Sequence, residues 1–269
     1  MTEALQYEFM RNALAAGVLV SIACGVIGAF VVLNRMVFIS AGIAHAAYGG
    51  IGLGTFFGFN PVVGAMGFSL FAAACMGAVE RTTRQRADTI IGVMWAVGMA
   101  VGVILIDLTE GYKADLMSYL FGSILSVPQT DLWIMAGLDV LVLGLTASLY
   151  KELLGMSFDE TFAKIQNVPV ERIYITLLCL LALTVVMMMR VVGLILVIAL
   201  LTLPAAIAGM WVKEMRHMMG MAVILGILFT TAGISLSYRF DLTSGATIIL
   251  VAALTYLVSL VLTEWRRVH

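Results

Sequence analysis

The stretch Val37–Gly58, VFISAGIAHAAYGGIGLGTFFG, decides the fold class of this chain. It runs for 22 residues without a Lys, Arg, Asp or Glu. A helix rises about 1.5 Å per residue, so this stretch is long enough to cross a hydrocarbon core of about 30 Å. Because lipid offers no hydrogen bonds to the backbone, the stretch is predicted to be a membrane-spanning α-helix.

The composition extends this conclusion to most of the chain. Of its 269 residues, 62% are hydrophobic and only 12% are charged, whereas a soluble domain carries about a quarter charged residues. So few polar residues cannot cover a water-facing surface, which implies that lipid surrounds most of the chain. The net charge of −1 does not suit a nucleic-acid partner. Without a linker-like segment, residues 1–269 are predicted to form a single domain.

Nine apolar runs are long enough to span a bilayer. They predict an all-α integral membrane protein, a polytopic bundle of about nine transmembrane helices, with Pro204 inside the seventh. Cys24, Cys75 and Cys179 lie inside these runs without disulfide or metal-ligand spacing and are interpreted as packing residues. The runs are Ala13–Leu33, Val37–Gly58, Val62–Val79, Thr89–Ile106, Leu132–Tyr150, Ile173–Met189, Val191–Trp211, Met219–Ser237 and Thr243–Leu262.

The basic residues predict the orientation, because they are enriched in cytoplasmic segments. If the N-terminus is outside, nine spans place the C-terminus in the cytoplasm. Eleven basic residues then lie inside: Arg35, Arg81, Arg84, Arg86, Lys151, Lys164, Arg172, Lys213, Arg216, Arg266 and Arg267. Four lie outside: Arg11, Lys113, Arg190 and Arg239. The chain is therefore predicted to be a multi-pass cell-membrane protein with an outside N-terminus.

Two connections between spans are long enough to contain short helices. On the predicted outside, Ala114–Val127 is apolar but too short to span, and is predicted to form an interfacial or re-entrant helix. On the inside, Lys151–Arg172 is predicted to contain a short helix that starts at a capping box of Ser157 and Glu160. Pro169 should end that helix. On these residues alone, the inside segment suits an ordinary interfacial loop and a docking element equally well.

The second span carries small residues at four-residue spacing, Gly42, Ala46, Gly50 and Gly54. These residues share one helix face and allow another helix to approach closely. The face therefore suits either tight packing against a neighbouring helix or the lining of a path.

Two ionisable side chains lie well inside predicted spans, His45 and Asp139. Ionisable groups are costly in a bilayer, so a functional role is the first hypothesis for each. Neutral imidazole is a good ligand for zinc, manganese or iron(II). The alternatives are a hydrogen bond from His45 to a neighbouring helix, and an Asp139 carboxylate that is paired inside the bundle or reaches water. Ser40 and Asp115 are further polar candidates for a metal path.

Signatures of enzymes do not occur in the sequence. The ATP-binding motif GxxxxGK[ST] and the hydrolase motifs GxSxG and HExxH are missing. Ser40 and His45 are five residues apart on a helix and face different directions, so they do not form a nucleophile and its base. The chain is therefore predicted not to be an enzyme, and any ATP hydrolysis belongs to a separate chain.

Four segments resemble the permeases of metal-ion ABC importers, the family that imports zinc, manganese or chelated iron. They are Val31–Gly54, Glu80–Ile106, Ala114–Val127 and Met189–Trp211. The first of them contains the sequence Ala-His-Ala, which is followed by several glycines. Their order and spacing also match, so the resemblance covers nearly the whole chain. It implies a permease subunit for divalent zinc or manganese, or iron, carried as cargo rather than as a permanent cofactor. It also implies a fold similar to that of the ten-helix vitamin B12 and siderophore permeases.

The same resemblance implies partners. A second copy of the chain would complete the membrane part, two cytoplasmic ABC ATPase subunits would dock below it, and an extracellular binding protein would deliver the metal. Lys151–Arg172 matches the segment whose helix docks into the ATPase. The predicted coupling residues there are Phe158, Asp159, Phe162 and Ile165.

One position departs from the family pattern. Many members place an acidic residue four positions before the histidine, so that both side chains bind metal together. Here that position is Ala41. We therefore predict that His45 lines the metal path and that Asp139 supplies the negative charge that Ala41 does not.

Two other functions compete with this interpretation. A permease for a metal chelate or a corrinoid-like ligand would need a wide cavity rather than a narrow, liganding path. An ion-coupled secondary transporter would act alone, and such proteins usually show internal repeats and several intramembrane charges. This sequence shows no clear repeat and only two such side chains.

Overall fold

The computed structural model describes residues 6–82, 87–109 and 122–268. Within these ranges it contains α-helices, a short 3-10 turn at Ile124–Ser126 and no β-strand. The helices are α1 Glu8–Leu33, α2 Val37–Phe57, α3 Pro61–Thr82, α4 Ala87–Leu108, α5 Gln129–Ser148, α6 Tyr150–Phe158, α7 Glu160–Ile165, α8 Val170–Val192, α9 Leu194–Trp211, α10 Met215–Phe240 and α11 Ser244–Val268.

Nine helices in the described ranges are long and apolar enough to cross a membrane, namely α1 to α5 and α8 to α11. Each coincides with one of the nine predicted spans, so the predicted fold class is confirmed. Several helices continue past the apolar runs that predicted them. Helix α1 begins at Glu8 rather than Ala13, and α10 ends at Phe240 rather than Ser237, because backbone hydrogen bonding does not stop where the apolar side chains do.

Helix α8 links two groups of helices. In the first group α2 packs against α3 and α4, and in the second α1, α9, α10 and α11 pack against one another. Helix α8 contacts α3 and α2 from the first group and α9 and α1 from the second. Its buried residues Leu177, Leu181, Val185 and Met188 recur at helical spacing, so one continuous apolar face of α8 forms the centre of the bundle.

Backbone-to-backbone contacts hold α2 between α3 and α4. A Cβ atom on Gly50 would overlap the carbonyl group of Gly64 in α3. On the other side, a Cβ atom on Gly98 of α4 would lie 2.9 Å from the Cα atom of Ala46. No larger side chain fits at either contact, so the small-residue face of α2 is filled by neighbouring helices and does not line an open path.

Two hydrogen-bonded contacts define one end of the bundle. Asn34, after α1, donates from Nδ2 to Ser157 Oγ of α6 at 2.9 Å. Arg81, near the end of α3, pairs with Glu160 of α7 at 3.0 Å. This end is called the basic end below, because Arg81 and Lys164 lie there, two of the basic residues that the sequence assigns to the inside.

The predicted outside helix lies only in part within the described residues. Residues 114–121, with Asp115, are outside them. The remainder contains the turn Ile124–Ser126, and Asn12 at the start of α1 donates from Nδ2 to the Val127 carbonyl at 3.1 Å. The segment therefore packs against the end of α1 that is opposite the basic end.

Candidate functional site

His45 lies on a half-buried face in the middle of α2. Its side chain is half-buried, as is that of Ala41 one turn earlier, whereas most of α2 is buried. One face of the imidazole ring lies against the indole of Trp95 in α4, with ring centroids 4.1 Å apart. The indole Nε1 donates in turn to the sulfur of Met99 at 3.2 Å, which fixes the surface on which the imidazole rests.

One hydrogen bond determines which ring nitrogen of His45 can bind a metal. Nδ1 lies 2.8 Å from the carbonyl oxygen of Ala41. A carbonyl oxygen can only accept, so Nδ1 carries the hydrogen and Nε2 keeps its lone pair. Metal-ligating histidines commonly donate their other ring N–H to a backbone carbonyl in this way. In the neutral ring this hydrogen bond therefore leaves the lone pair of Nε2 available to a ligand.

The structure places Ser40 away from His45. Ser40 is fully buried, and its hydroxyl donates to the carbonyl of Val37 at 2.7 Å. That hydroxyl satisfies a backbone acceptor inside the helix, and its side chain does not share the half-buried face of His45. The methyl group of Ala41, which does share that face, offers no ligand.

Asp139 occupies a different part of the bundle. It lies on the buried face of α5, only 4% exposed, and its carboxylate oxygens form no hydrogen bond within the described part of the chain. Helix α5 packs mainly against α1 and α8, whereas α2 packs mainly against α3 and α4. The structure therefore does not bring Asp139 alongside His45, and a contribution of its charge to the path stays a prediction.

No cluster of three or more His, Cys, Asp or Glu side chains able to hold a metal occurs in residues 6–82, 87–109 and 122–268. One chain thus offers His45 Nε2 as an isolated ligand on a half-covered helix face. A metal ion that leaves water needs several ligands, and this face of a single chain supplies one.

The second candidate site is the short helix α7 at the basic end. Three large apolar side chains on and beside it are unusually exposed: Phe158 is 63% exposed, Phe162 56% and Ile165 72%. Ala163 faces the bundle and is buried. Exposed apolar side chains on a helix that is anchored by its opposite face are typical of a docking surface.

The predicted capping box at the start of this helix is wrong. The N-cap of α7 is Asp159, whose carboxylate accepts a hydrogen bond from the backbone N–H of Phe162 at 2.9 Å. Ser157 instead belongs to the last turn of α6, where its hydroxyl donates to the Leu153 carbonyl at 2.7 Å and accepts from Asn34. Asp159 is therefore a helix cap as well as a predicted coupling residue.

The end of α7 confirms that this helix stops before Pro169, with Asn167 as the structural reason. Asn167 has φ of 58°, in the left-handed region, which asparagine tolerates better than most residues. Its N–H donates to the Lys164 carbonyl at 3.0 Å, and the Val168 N–H donates to the Ala163 carbonyl at 3.1 Å. These bonds satisfy the last carbonyls of the helix.

Glu160 connects α7 to the rest of the bundle. Its Oε1 lies 2.7 Å from Lys164 Nζ and 3.0 Å from Arg81 Nη1. The hydrogen bond from Lys164, with the charge of Arg81, lowers the pKa of Glu160, so it is ionised at neutral pH. Nothing in the sequence singles out Arg81, because 79 residues separate it from its partner.

Comparison with known proteins supplies the family. The profile of the ABC 3 transport family matches residues 6–263. The chain is 62% identical over 260 residues to an uncharacterized membrane protein of Synechocystis sp., covering 97% of this chain and 92% of that protein. It is 35% identical over 249 residues to the manganese transport system membrane protein MntC of Halalkalibacterium halodurans, covering 93% and 85% respectively.

A solved structure is similar over nearly the whole chain. The match is to a chain of PsaBC from Streptococcus pneumoniae in complex with Fab, with a TM-score of 0.86 and 34% sequence identity. It covers 96% of this chain and 93% of that one. These matches extend over nearly the whole chain, and the chain belongs to the ABC 3 transport family.

Proposed function

We propose that this chain is the membrane permease subunit of an ATP-driven importer of divalent metal ions. The observation that carries the proposal is His45, an imidazole on a charge-free membrane helix whose Nδ1–H is bound to the Ala41 carbonyl and whose Nε2 is left for a ligand. An imidazole of this kind is rare inside a bilayer without a functional reason. Family membership adds that related chains are transport proteins.

Manganese is the proposed cargo, with zinc as the closest competitor. Imidazole nitrogen binds both metals, so His45 alone does not separate them. Similar proteins of Halalkalibacterium halodurans, Listeria monocytogenes and Streptococcus gordonii are named as manganese transport or import proteins. These names favour manganese for this chain.

A second copy of the chain is the proposed partner in the membrane. The half-buried position of His45 would otherwise turn a polar ring toward lipid, which is unfavourable. A partner that covers this face would remove the imidazole from lipid and enclose a path between the copies. It would also add ligands, because a metal ion needs more than the single imidazole that one chain supplies.

ATP hydrolysis is assigned to separate cytoplasmic subunits. The chain lacks the sequence GxxxxGK[ST] that binds ATP phosphates. Phe162 and Ile165 of helix α7, with Phe158 at the end of α6, are exposed to solvent at the basic end, where they form a surface for an ATPase groove. An extracellular binding protein that delivers the metal completes the proposed importer.

We expect the basic end to face the cytoplasm and the N-terminus to lie outside, because eleven of fifteen basic residues lie on one side of the nine spans. Reporter fusions at His269 and in the loop at residues 82–86 should both give a cytoplasmic signal. A fusion at residue 60, between α2 and α3, is the matched control and should report the outside. A periplasmic signal at either of the first two sites would contradict the proposed orientation.

Metal accumulation in cells tests the proposed function. Cells that lack this chain, grown at limiting metal, should contain several-fold less manganese or zinc than cells in which the gene has been restored. Elemental analysis of washed cells measures both metals and iron in the same sample. Normal metal content together with lost uptake of a metal chelate would favour a chelate permease and contradict the proposal.

A further inference from the structure

The ion pair between Arg81 and Glu160 joins the docking helix to the transmembrane bundle at one point. Glu160 is the first residue of α7, and Arg81 lies in the last turn of α3. Their side chains meet at 3.0 Å, and the Arg81 side chain is only 22% exposed. An ion pair that is partly shielded from water keeps more of its Coulomb energy than a surface pair does.

Further contacts hold Arg81 in the orientation that reaches Glu160. Its guanidinium group lies over the ring of Tyr174 in α8, 4.5 Å from the centroid. The hydroxyl of Tyr174 donates to the carboxylate of Glu80, the neighbour of Arg81. With Lys164 and Glu171, these side chains line a polar cavity of about 400 Å³. The Arg81 side chain therefore contacts Tyr174 of the bundle on one side and Glu160 of the docking helix on the other.

Helix α3 packs tightly against α2, the helix that carries His45. The contact between Gly64 and Gly50 leaves no space between the backbones of α3 and α2. On the far side, Ala46 packs against Gly98 of α4, where a Cβ atom on Gly98 would lie 2.9 Å from the Ala46 Cα atom. Because packed interiors transmit strain rather than absorb it, a shift of α3 as a rigid helix would displace α2 together with the imidazole.

We propose that Arg81 and Glu160 are positioning residues for energy coupling: their ion pair transmits the movement of the docking helix α7 through α3 to α2 and His45. The proposal rests on the proposed function, in which an ATPase moves α7. Lys164 has a different role, because its ion pair with Glu160 lies within α7 itself. Loss of the Arg81–Glu160 pair should separate ATP hydrolysis from transport without preventing assembly.

The test compares manganese taken up per ATP hydrolysed by purified complexes in proteoliposomes. Arg81→Met and Glu160→Gln should each lower this ratio about fivefold or more, while the ATPase co-purifies at the yield of the unmodified complex. The double variant should be no worse than the more affected single variant, because both changes break one interaction. Lys164→Met is the matched control, with a ratio within about twofold of the unmodified complex.

Three results would overturn the proposal: an unchanged ratio in both single variants, additive losses in the double variant, or an equal loss in Lys164→Met. If Arg81→Met does not assemble, Glu160→Gln still decides, because its side chain is 45% exposed and Gln keeps its size. A failure of the proposed function looks different. In that case the unmodified complex itself shows no ATP-dependent manganese uptake.

Discussion

Phe162→Asp is expected to abolish the association of the ATPase subunit with this chain while leaving the membrane bundle folded. The Phe162 side chain is 56% exposed and contributes little to the interior of the chain. In an apolar socket of a partner, a carboxylate would be desolvated without a counter-ion. A loss of about 3 to 4 kcal/mol is typical of a central interface residue and corresponds to roughly several hundred-fold in affinity. Co-purification of the ATPase from detergent extracts measures it.

Two variants of the same helix separate docking from a general effect of charge. Thr161→Asp places the same charge on the neighbouring exposed position, in the first turn of α7, where a carboxylate suits the helix dipole. Phe162→Leu keeps an apolar side chain. Both should retain most of the ATPase. Recovery of the ATPase with Phe162→Asp at the yield of the unmodified chain would show that α7 is not the docking element.

His45→Ala should lower metal uptake by about tenfold to a hundredfold, because it removes the imidazole nitrogen that the Ala41 carbonyl orients. The ring is half-buried and rests on Trp95, so its loss should cost only about 1 kcal/mol of stability. Assembly with the ATPase and basal ATP hydrolysis should stay near normal. If yield and thermal stability fall together with uptake, His45 has a structural role and the ligand assignment is wrong.

A gain-of-function variant makes this test sharper. Ala41 and His45 lie one turn apart on the same face of α2, and the hydrogen bond to His45 uses only the backbone of Ala41. Ala41→Asp should therefore add a carboxylate ligand beside Nε2 and lower the manganese concentration needed for half-maximal uptake. The same change in a His45→Ala background should give no such gain. An equal gain in both backgrounds would mean that the carboxylate acts without His45.

The membrane helices could be predicted from sequence because hydropathy reports the solvent directly. Each of the nine apolar runs became one span, with ends displaced by a few residues. The close approach at Gly50 could be predicted for a similar reason, since small residues at four-residue spacing on one helix face are typical of close helix packing. Which helices fill that face could not be predicted, because it depends on packing against α3 and α4.

Long-range contacts account for the features that sequence reasoning missed. Ser157 and Glu160 have the spacing of a capping box, but Ser157 continues α6 and bonds to Asn34, 123 residues away. Asp159, immediately before α7, takes over the cap. Asp139 has a carboxylate that could bind a metal together with His45, yet α5 packs mainly against α1 and α8, whereas α2 packs mainly against α3 and α4. Residue type indicates what a side chain can do, whereas tertiary packing decides whether it meets its partner.

ATP-dependent metal import by the assembled complex is the central claim. Its most direct test is the uptake of radioactive manganese into proteoliposomes that contain this chain and its ATPase, with ATP inside and the metal-loaded binding protein outside. We expect accumulation that requires ATP, the ATPase and the binding protein together, and that is largely lost with His45→Ala. Accumulation by this chain alone, without an ATPase, would contradict the proposed function and identify an ion-coupled secondary transporter.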